Sequence, residues 1–281
     1  SRPTEILMGN SNQNPYDRYL KILGIERQEP SISALYELVA AQMTRVPFEN
    51  ISKLYYLHKY NQRDIPTMEQ YLDGVENHNL GGTCFANNYF LHQLLTNLGY
   101  KAKLCGADMD NPDVHLTNIV DLENREYLID AGYATPFIEP LPRDLREDYH
   151  VALGRDEYIL HPKDDHGRSR VDLYRDNQLI HGYTAKPIHQ DIKYFKDSIA
   201  HSFREEATFL NSLLMVRLYD KNRSVVIFNL SVIQSEGPSF NREELKDKNE
   251  LIEAVHHYFG IPKEISTKAL KALKGFDNAW N

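Results

Sequence analysis

The sequence predicts an α+β fold laid out in three consecutive parts, and three observations carry that expectation. Apolar residues recur at helical spacing through most of the first hundred positions, whereas from Tyr100 to about Pro187 the pattern becomes short alternating runs separated by Pro, Asp and Gly. After Ser202 a hairpin pattern precedes two amphipathic helices. The expected parts are residues 1–99, a helical bundle, residues 100–201, an antiparallel barrel or sandwich, and residues 202–281, which mix strands and helices.

Each element has a local reason. Asn14 and Pro15 open a helix whose Tyr19, Leu20, Ile22 and Leu23 share a face, and Gly24 is its natural stop. Ser33 starts a second, with Leu35, Leu38, Val39, Gln42 and Met43 on one stripe, and the residue before Pro47 is pushed out of the helical region. A third runs from about Phe85 to Leu98, with Leu91, Leu94, Leu95 and Leu98 aligned and Gly99 as its cap; these faces pack together. Tyr100 to Cys105, Val114 to Leu122 and Glu126 to Ala131 alternate with period two, and short strands continue from Pro140 to Pro187. Leu213 to Tyr219 and Ser224 to Ile233 form a hairpin across the polar Asp220-Lys221-Asn222-Arg223 turn. Leu251, Ile252, Val255, Tyr258 and Phe259 then line a helix stopped by Gly260 and Pro262, and Ser266 to Lys274 reads as a short basic helix.

Composition limits the function classes. The 281 residues are 41% hydrophobic and 26% charged, and a chain of this size buries roughly three-quarters of its unfolded surface, enough for a large core without staples. The formal charge of −8 comes without any basic patch, which argues against nucleic acid or an anionic membrane as partner. Apolar stretches are strand-sized, well below the roughly 20 residues that span a bilayer, and Ser1 to Asn14 is polar without a signal core, so a cytoplasmic protein is expected. Neither G-x-x-x-x-G-K-[ST] nor G-x-G-x-x-G is present. The two cysteines, Cys84 and Cys105, suit a reducing compartment, where a lone Cys is either a small buried hydrophobe or a nucleophile.

Position separates the two. Cys84 follows Gly81-Gly82-Thr83 and begins a helix, where free N–H groups and the helix dipole favour a thiolate and can bind an oxyanion. Cys105, at the end of a strand, has no such context and reads as structural. A thiolate needs a base and a group to orient it. Among 12 His, His115 opens one strand and Asp130 ends the strand that returns from Glu123-Asn124. A two- or four-residue turn puts the pair on one face as diagonal neighbours, roughly 7–8 Å apart at the backbone, whereas a three-residue turn puts them on opposite faces. Zinc binding by Cys84, His115, Asp130 and Cys105 is disfavoured because the short ligand pairs of zinc sites are missing, and no metal is expected.

With these residues assembled, the chain resembles the arylamine N-acetyltransferases over nearly its whole length. The family's R-[IV]-P-F-E-N signature matches Arg45-Val46-Pro47-Phe48-Glu49-Asn50, and its R-G-G-x-C-x-[EQ]-x-N signature matches Gly81, Gly82, Thr83, Cys84 and Asn88. Its H-x-x-N-h-V strand and the later h-x-D-x-G-[FY] match His115, Asn118, Val120, Asp130, Gly132 and Tyr133; an S-x-F segment matches Ser198 or Ser202 with Phe203, and F-G-I matches Phe259-Gly260-Ile261. The resemblance implies an N-terminal helical bundle, a central antiparallel β-barrel and a C-terminal α/β lid, with a cysteine-protease-like Cys-His-Asp core. It further implies a catalytic triad of Cys84, His115 and Asp130 and ping-pong transfer of acetyl from acetyl-CoA to arylamines, hydrazines or arylhydroxylamines. By the same resemblance Asn111, Pro112, Asp113, Val114 and Gly132 contact the co-substrate, Phe48, Tyr133 and Phe203 line the acceptor pocket, and the protein is a monomer or homodimer.

Two positions depart from the family. Leu80 stands where the cysteine motif begins with Arg, and Ala86 where it has Glu or Gln. If that Arg ordinarily pairs with the motif's Glu, Glu49 needs another partner, because an unpaired buried carboxylate is costly. The groups that would hold the phosphates of CoA are not singled out by the sequence, since Lys101, Lys103, Arg168, Arg170 and Lys268 are scattered. A cysteine hydrolase with the same three residue types, and a binding homologue without activity, are the competing readings.

Overall fold

In the computed structural model, which describes residues 14–276, the Asn14 side chain accepts the N–H of Tyr16 at 2.8 Å and Pro15 takes the first position of helix α1, Pro15–Leu23. Apart from Asn14, the stretch read as lacking a signal core lies outside the described residues. Gly24, at φ 73°, ends α1 in the left-handed region. Helix α2, Ile32–Arg45, is capped by the Ser31 hydroxyl, which accepts from Ala34 N–H at 3.0 Å; Ser33, expected as its start, already lies inside it. Val46 turns extended ahead of Pro47, and β1, Phe48–Glu49, follows.

Helices α3, Ile51–Tyr60, and α4, Met68–His78, were not anticipated. Gly74 in the middle of α4 reads as a breaker, yet it is there for space: a Cβ would stand 2.9 Å from the Tyr56 hydroxyl. Helix α5, Cys84–Asn97, begins one residue earlier than its apolar stripe suggests. Tyr19, Leu20, Leu35, Leu38, Leu72, Val75, Leu91 and Leu94 of α1, α2, α4 and α5 form one buried cluster, each large apolar side chain contributing about 1.5–3 kcal/mol of transfer free energy.

The middle of the chain builds β2, Lys101–Asp108, β3, His115–Leu122, β4, Arg125–Ile129, β5, Leu141–Pro142, β6, Tyr149–Leu153, β7, Asp156–Leu160, β8, Ser169–Arg175, and β9, Gln178–His189. They make one antiparallel sheet in the order β5-β4-β3-β2-β9-β8-β7-β6, curled into a nearly closed barrel. Arg143, just past β5, reaches across to the Ser169 hydroxyl of β8 at 3.0 Å. Ile119, Leu128, Tyr133, Phe137, Tyr158, Val171 and Tyr183 fill the interior. Strand β3 is buried on both faces, with Ile119 in the barrel and Val120 in the helical core, so its period-two pattern does not mark a solvent-facing side.

A 3₁₀ turn, Ile192–Phe195, and short helices α6, Lys196–His201, and α7, Thr208–Asn211, lead to a second sheet of β10, Leu214–Asp220, β11, Arg223–Phe228, β12, Ser231–Glu236, and β13, Ser239–Glu244. The single strand expected over Ser224–Ile233 is two strands, because Asn229 adopts φ 52° and its side-chain oxygen takes the N–H of Leu213 at 2.8 Å. The sheet order is β1-β10-β11-β12-β13, so the two-residue β1 pairs across the whole chain, Phe48 opposite Val216. Helix α8, Lys248–Phe259, ends at Gly260 with φ 69°. Helix α9 covers Lys263–Leu270, earlier than the expected Ser266 to Lys274, since Pro262 sets its start. Ile265 and Ala269 of α9 share a core with Ile51 and Leu54 of α3. No helix among the described residues is long and apolar enough to cross a membrane.

Candidate active site

Cys84 is the first helical residue of α5, where the opening N–H groups have no partners within the helix. The loop ahead of it is clamped on both sides. Glu49 N–H donates to Gly82 C=O at 3.1 Å, and the Asn87 amide donates to Gly82 C=O at 2.9 Å. Glycine is required in that loop, since a Cβ on Gly81 would lie 2.0 Å from the Pro47 carbonyl oxygen. Cys84 stays half-buried, facing a cavity, whereas Cys105 is fully buried in the barrel core and burial pushes its thiol up to about 12.

The Glu123-Asn124 turn has two residues, both left-handed at φ 51° and 62°, with Leu122 opposite Arg125 and Asn118 opposite Ile129. This is the parity that places His115 and Asp130 on one face. The His115 Nε2 lies 2.7 Å from Asp130 Oδ2, both residues being about 1% exposed. Asp130 Oδ1 accepts from the Asn88 amide at 2.9 Å and from Gly132 N–H at 2.8 Å. Asn88 is the hub that ties helix to barrel: it also donates to Leu116 C=O at 2.8 Å and accepts from Ala131 N–H at 2.8 Å. The His115 ring faces the barrel interior, 4.8 Å from the Tyr183 ring and 5.6 Å from that of Tyr133.

Burial alone would lower the pKa of His115, but the charge and hydrogen bond of Asp130, joined by those of Cys84, raise it to about 10. Burial pushes Asp130 the other way, and His115, Asn88 and the Gly132 N–H together hold it below the ordinary carboxylate value. The Asp130 carboxylate thus favours the imidazolium form of His115, with the sulfur of Cys84 as the ring's other partner.

Cys84 and His115 open into a cavity of about 390 Å³. Phe48, Tyr133, Asn111, Val114 and Gly132 line it; Pro112 and Asp113 do not, Asp113 being held instead by Lys186 Nζ at 2.6 Å and the Tyr194 hydroxyl at 2.7 Å. Phe203 lines a smaller neighbouring cavity of about 40 Å³, while Ser198 and Ser202 both border the main one. Arg168, Arg170 and Lys268 are engaged by Asp164, Asp172 and Glu264. Lys53, His181, Arg204 and Phe209 also line the site, and no local motif marked them: they arrive from α3, β9 and the segment around α7, which only the fold brings together.

The departure at Leu80 has a structural answer. Glu49 is fully buried and among the described residues has no cation beside it, but its oxygens accept backbone N–H groups, Gly81 at 2.9 Å and Ser52 at 2.8 Å. Burial raises its carboxyl pKa against those hydrogen bonds. Leu80 sits in the apolar cluster with Ile51 and Leu54, where the Arg side chain is not needed.

A helical bundle and a nearly closed antiparallel barrel meeting on a Cys-His-Asp constellation define a protein built like the cysteine-nucleophile enzymes. The sequence model of the N-acetyltransferase family matches residues 31–267, and the chain belongs to the arylamine N-acetyltransferase family. Human arylamine N-acetyltransferase 1 is 26% identical over 131 residues, 43% of each chain, and rat arylamine N-acetyltransferase 2 is 23% identical over 178 residues, 58% of each. The chain thus spans about half the length of these curated relatives. The arylamine N-acetyltransferase structure from Salmonella typhimurium superposes with a TM-score of 0.76 at 17% identity, covering 92% of this chain and 99% of that one. That from Mycobacterium abscessus gives 0.74 at 17%, covering 92% and 94%.

Proposed function

We propose that the protein is an acetyl-CoA-dependent arylamine N-acetyltransferase that works by ping-pong transfer through Cys84. One observation carries this reading: the His115 ring lies between Asp130, 2.7 Å from its Nε2, and Cys84, at the wall of a cavity large enough for a small aromatic molecule. The Cys84 thiolate attacks the thioester carbonyl of acetyl-CoA, and the oxyanion that forms meets the free N–H groups at the start of α5. The C–S bond to CoA then breaks, and His115 gives its proton to the departing CoA thiolate. In the second half, the nitrogen of an arylamine, hydrazine or arylhydroxylamine attacks the acetyl-cysteine, the neutral imidazole takes the nitrogen's proton, and Cys84 leaves as thiolate. Asp130 orients the ring and stabilises its cationic form. Phe48 and Tyr133 flank the acceptor, with Phe203 behind, and Asn111, Val114 and Gly132 meet the co-substrate.

Intact-mass measurement after mixing with acetyl-CoA tests this directly. One acetyl increment should appear, be absent in Cys84→Ala, and vanish when an arylamine is added. Transfer to a simple arylamine that survives Cys84→Ala would sink the proposal, as would the failure of any adduct to form. Thioester turnover indifferent to arylamine would instead mark a hydrolase.

A further inference from the structure

Helix α3 carries an ammonium where its own physics does not want one. Lys53 is the third residue of α3, in the turn where the helix dipole favours acidic side chains. Ile51 and Leu54 turn into the core beneath, which leaves Lys53 half-buried in the wall shared by the main cavity and its small neighbour. Its Nζ donates to the Ser202 hydroxyl at 2.8 Å and stands 3.9 Å over the Phe203 ring. Among the described residues no carboxylate pairs with it, whereas the other lysine or arginine of the cavity wall, Arg204, has Glu206 at 3.6 Å.

We propose that Lys53 is a specificity-determining residue that binds a carboxylate on the acceptor, so that the site prefers acceptors carrying an anionic group beside their reacting nitrogen. The inference rests on the transferase reading and concerns its second half. Burial lowers the Lys53 pKa to about 8 and the charge of Cys84 works against that fall, which leaves the ammonium as the main form at neutral pH. In the free enzyme the charge of Cys84 favours this ammonium. Acetylation converts the thiolate to a neutral thioester, and the acetyl-enzyme then offers the acceptor a poorly solvated cation with a hydrogen-bond donor to spare. A carboxylate is the ligand that both satisfies the donor and restores the balance, through a charge-assisted hydrogen bond. The cavity, about 390 Å³, holds an aromatic amine and its acidic group together.

The test compares isosteric acceptors on pre-formed acetyl-enzyme: the 2-, 3- and 4-aminobenzoates against the corresponding aminobenzamides, reading the second-order rate of acetyl loss. The expected result is at least one acid favoured over its amide by about tenfold or more, a ratio near unity in Lys53→Met, and recovery of most of it in Lys53→Arg. The ratio isolates charge recognition from any general loss in the variant, which a purely structural lysine would not move. No acid preference in the parent, or a preference that persists in Lys53→Met, overturns the proposal. If succinyl-CoA outpaces acetyl-CoA in acylating Cys84, in a manner lost in Lys53→Met and without acid preference among acceptors, the carboxylate belongs to the acyl donor and the acceptor assignment is wrong. Absence of acetyl-enzyme in the parent is a different failure, that of the transferase reading itself.

Discussion

Gly132→Ala should disable the site while leaving every reactive atom in place. A Cβ at residue 132 would lie 2.4 Å from the Cys84 Cα, 3.0 Å from its Cβ and 2.8 Å from the Asn88 amide nitrogen. Carbon atoms rest at about 3.5 Å or more, so the cysteine backbone and Gly132 must part by about 1 Å. Little around them can yield. Cys84 starts a helix anchored by the fully buried Leu91, Leu94 and Leu95, and Asn88 is held to Leu116, Asp130 and Ala131. A misplacement of about 1 Å in reacting groups costs on the order of 100-fold in rate, or about 2.7 kcal/mol of activation free energy. The assay is kcat/KM for acetyl transfer to a simple arylamine, with the rate of Cys84 alkylation by iodoacetamide and the Tm measured alongside. Gly275→Ala is the control, because a Cβ there meets nothing within 4 Å. We expect a loss of about 100-fold in Gly132→Ala and none in the control. Activity within about threefold of the parent at unchanged Tm would refute the claim that this contact sets the cysteine's position.

Asp130→Asn removes the charge that holds the His115 proton, so the ring's NMR titration should move from about 10 to below neutrality. Because the folded value lies above the unfolded 6.5, the pair's contribution to stability is full below pH 6.5 and is lost as pH rises through about 10; the urea-stability gap between parent and Asp130→Asn should therefore be wider at pH 6.5 than at pH 10, and an equal gap would contradict the sign. Leu80→Ala hollows the cluster beneath the cysteine loop and should lower unfolding free energy by about 2–5 kcal/mol in urea titrations. Replacing Glu123-Asn124 by Asn-Gly suits the two left-handed positions of that turn, so it should raise unfolding free energy by about 1 kcal/mol; a drop would show that the present side chains serve another purpose.

The grouping of Cys84, His115 and Asp130 was legible because each of its links is short. Helix capping places Cys84, and a two-residue turn alone fixes the parity of His115 and Asp130. Helix α3 was hidden by its small buried face of Ile51, Ser52 and Leu54, and α4 by Gly74. The turn at Asn229 was masked by Phe228 and Leu230, which read as one continuous strand. Lys53 and Phe209 could not be placed from the sequence, since their role depends on segments about 150 residues apart meeting at one wall, a separation no local periodicity encodes.

The two residues of β1 have a consequence for how the protein comes to exist. Glu49 holds Gly82 with its own N–H and Gly81 with its carboxylate, and the strand that carries Glu49 is itself completed by Leu214–Asp220. During synthesis the N-terminal helices and the barrel emerge first, but the strand that pairs with Glu49 waits for residues 214–220 to leave the ribosome. A chain ending near His201 would keep the hydrogen bonds from Glu49 and Asn87 to the cysteine loop but lack the strand that backs Glu49, so the C-terminal part of the chain supports the cysteine loop at one remove.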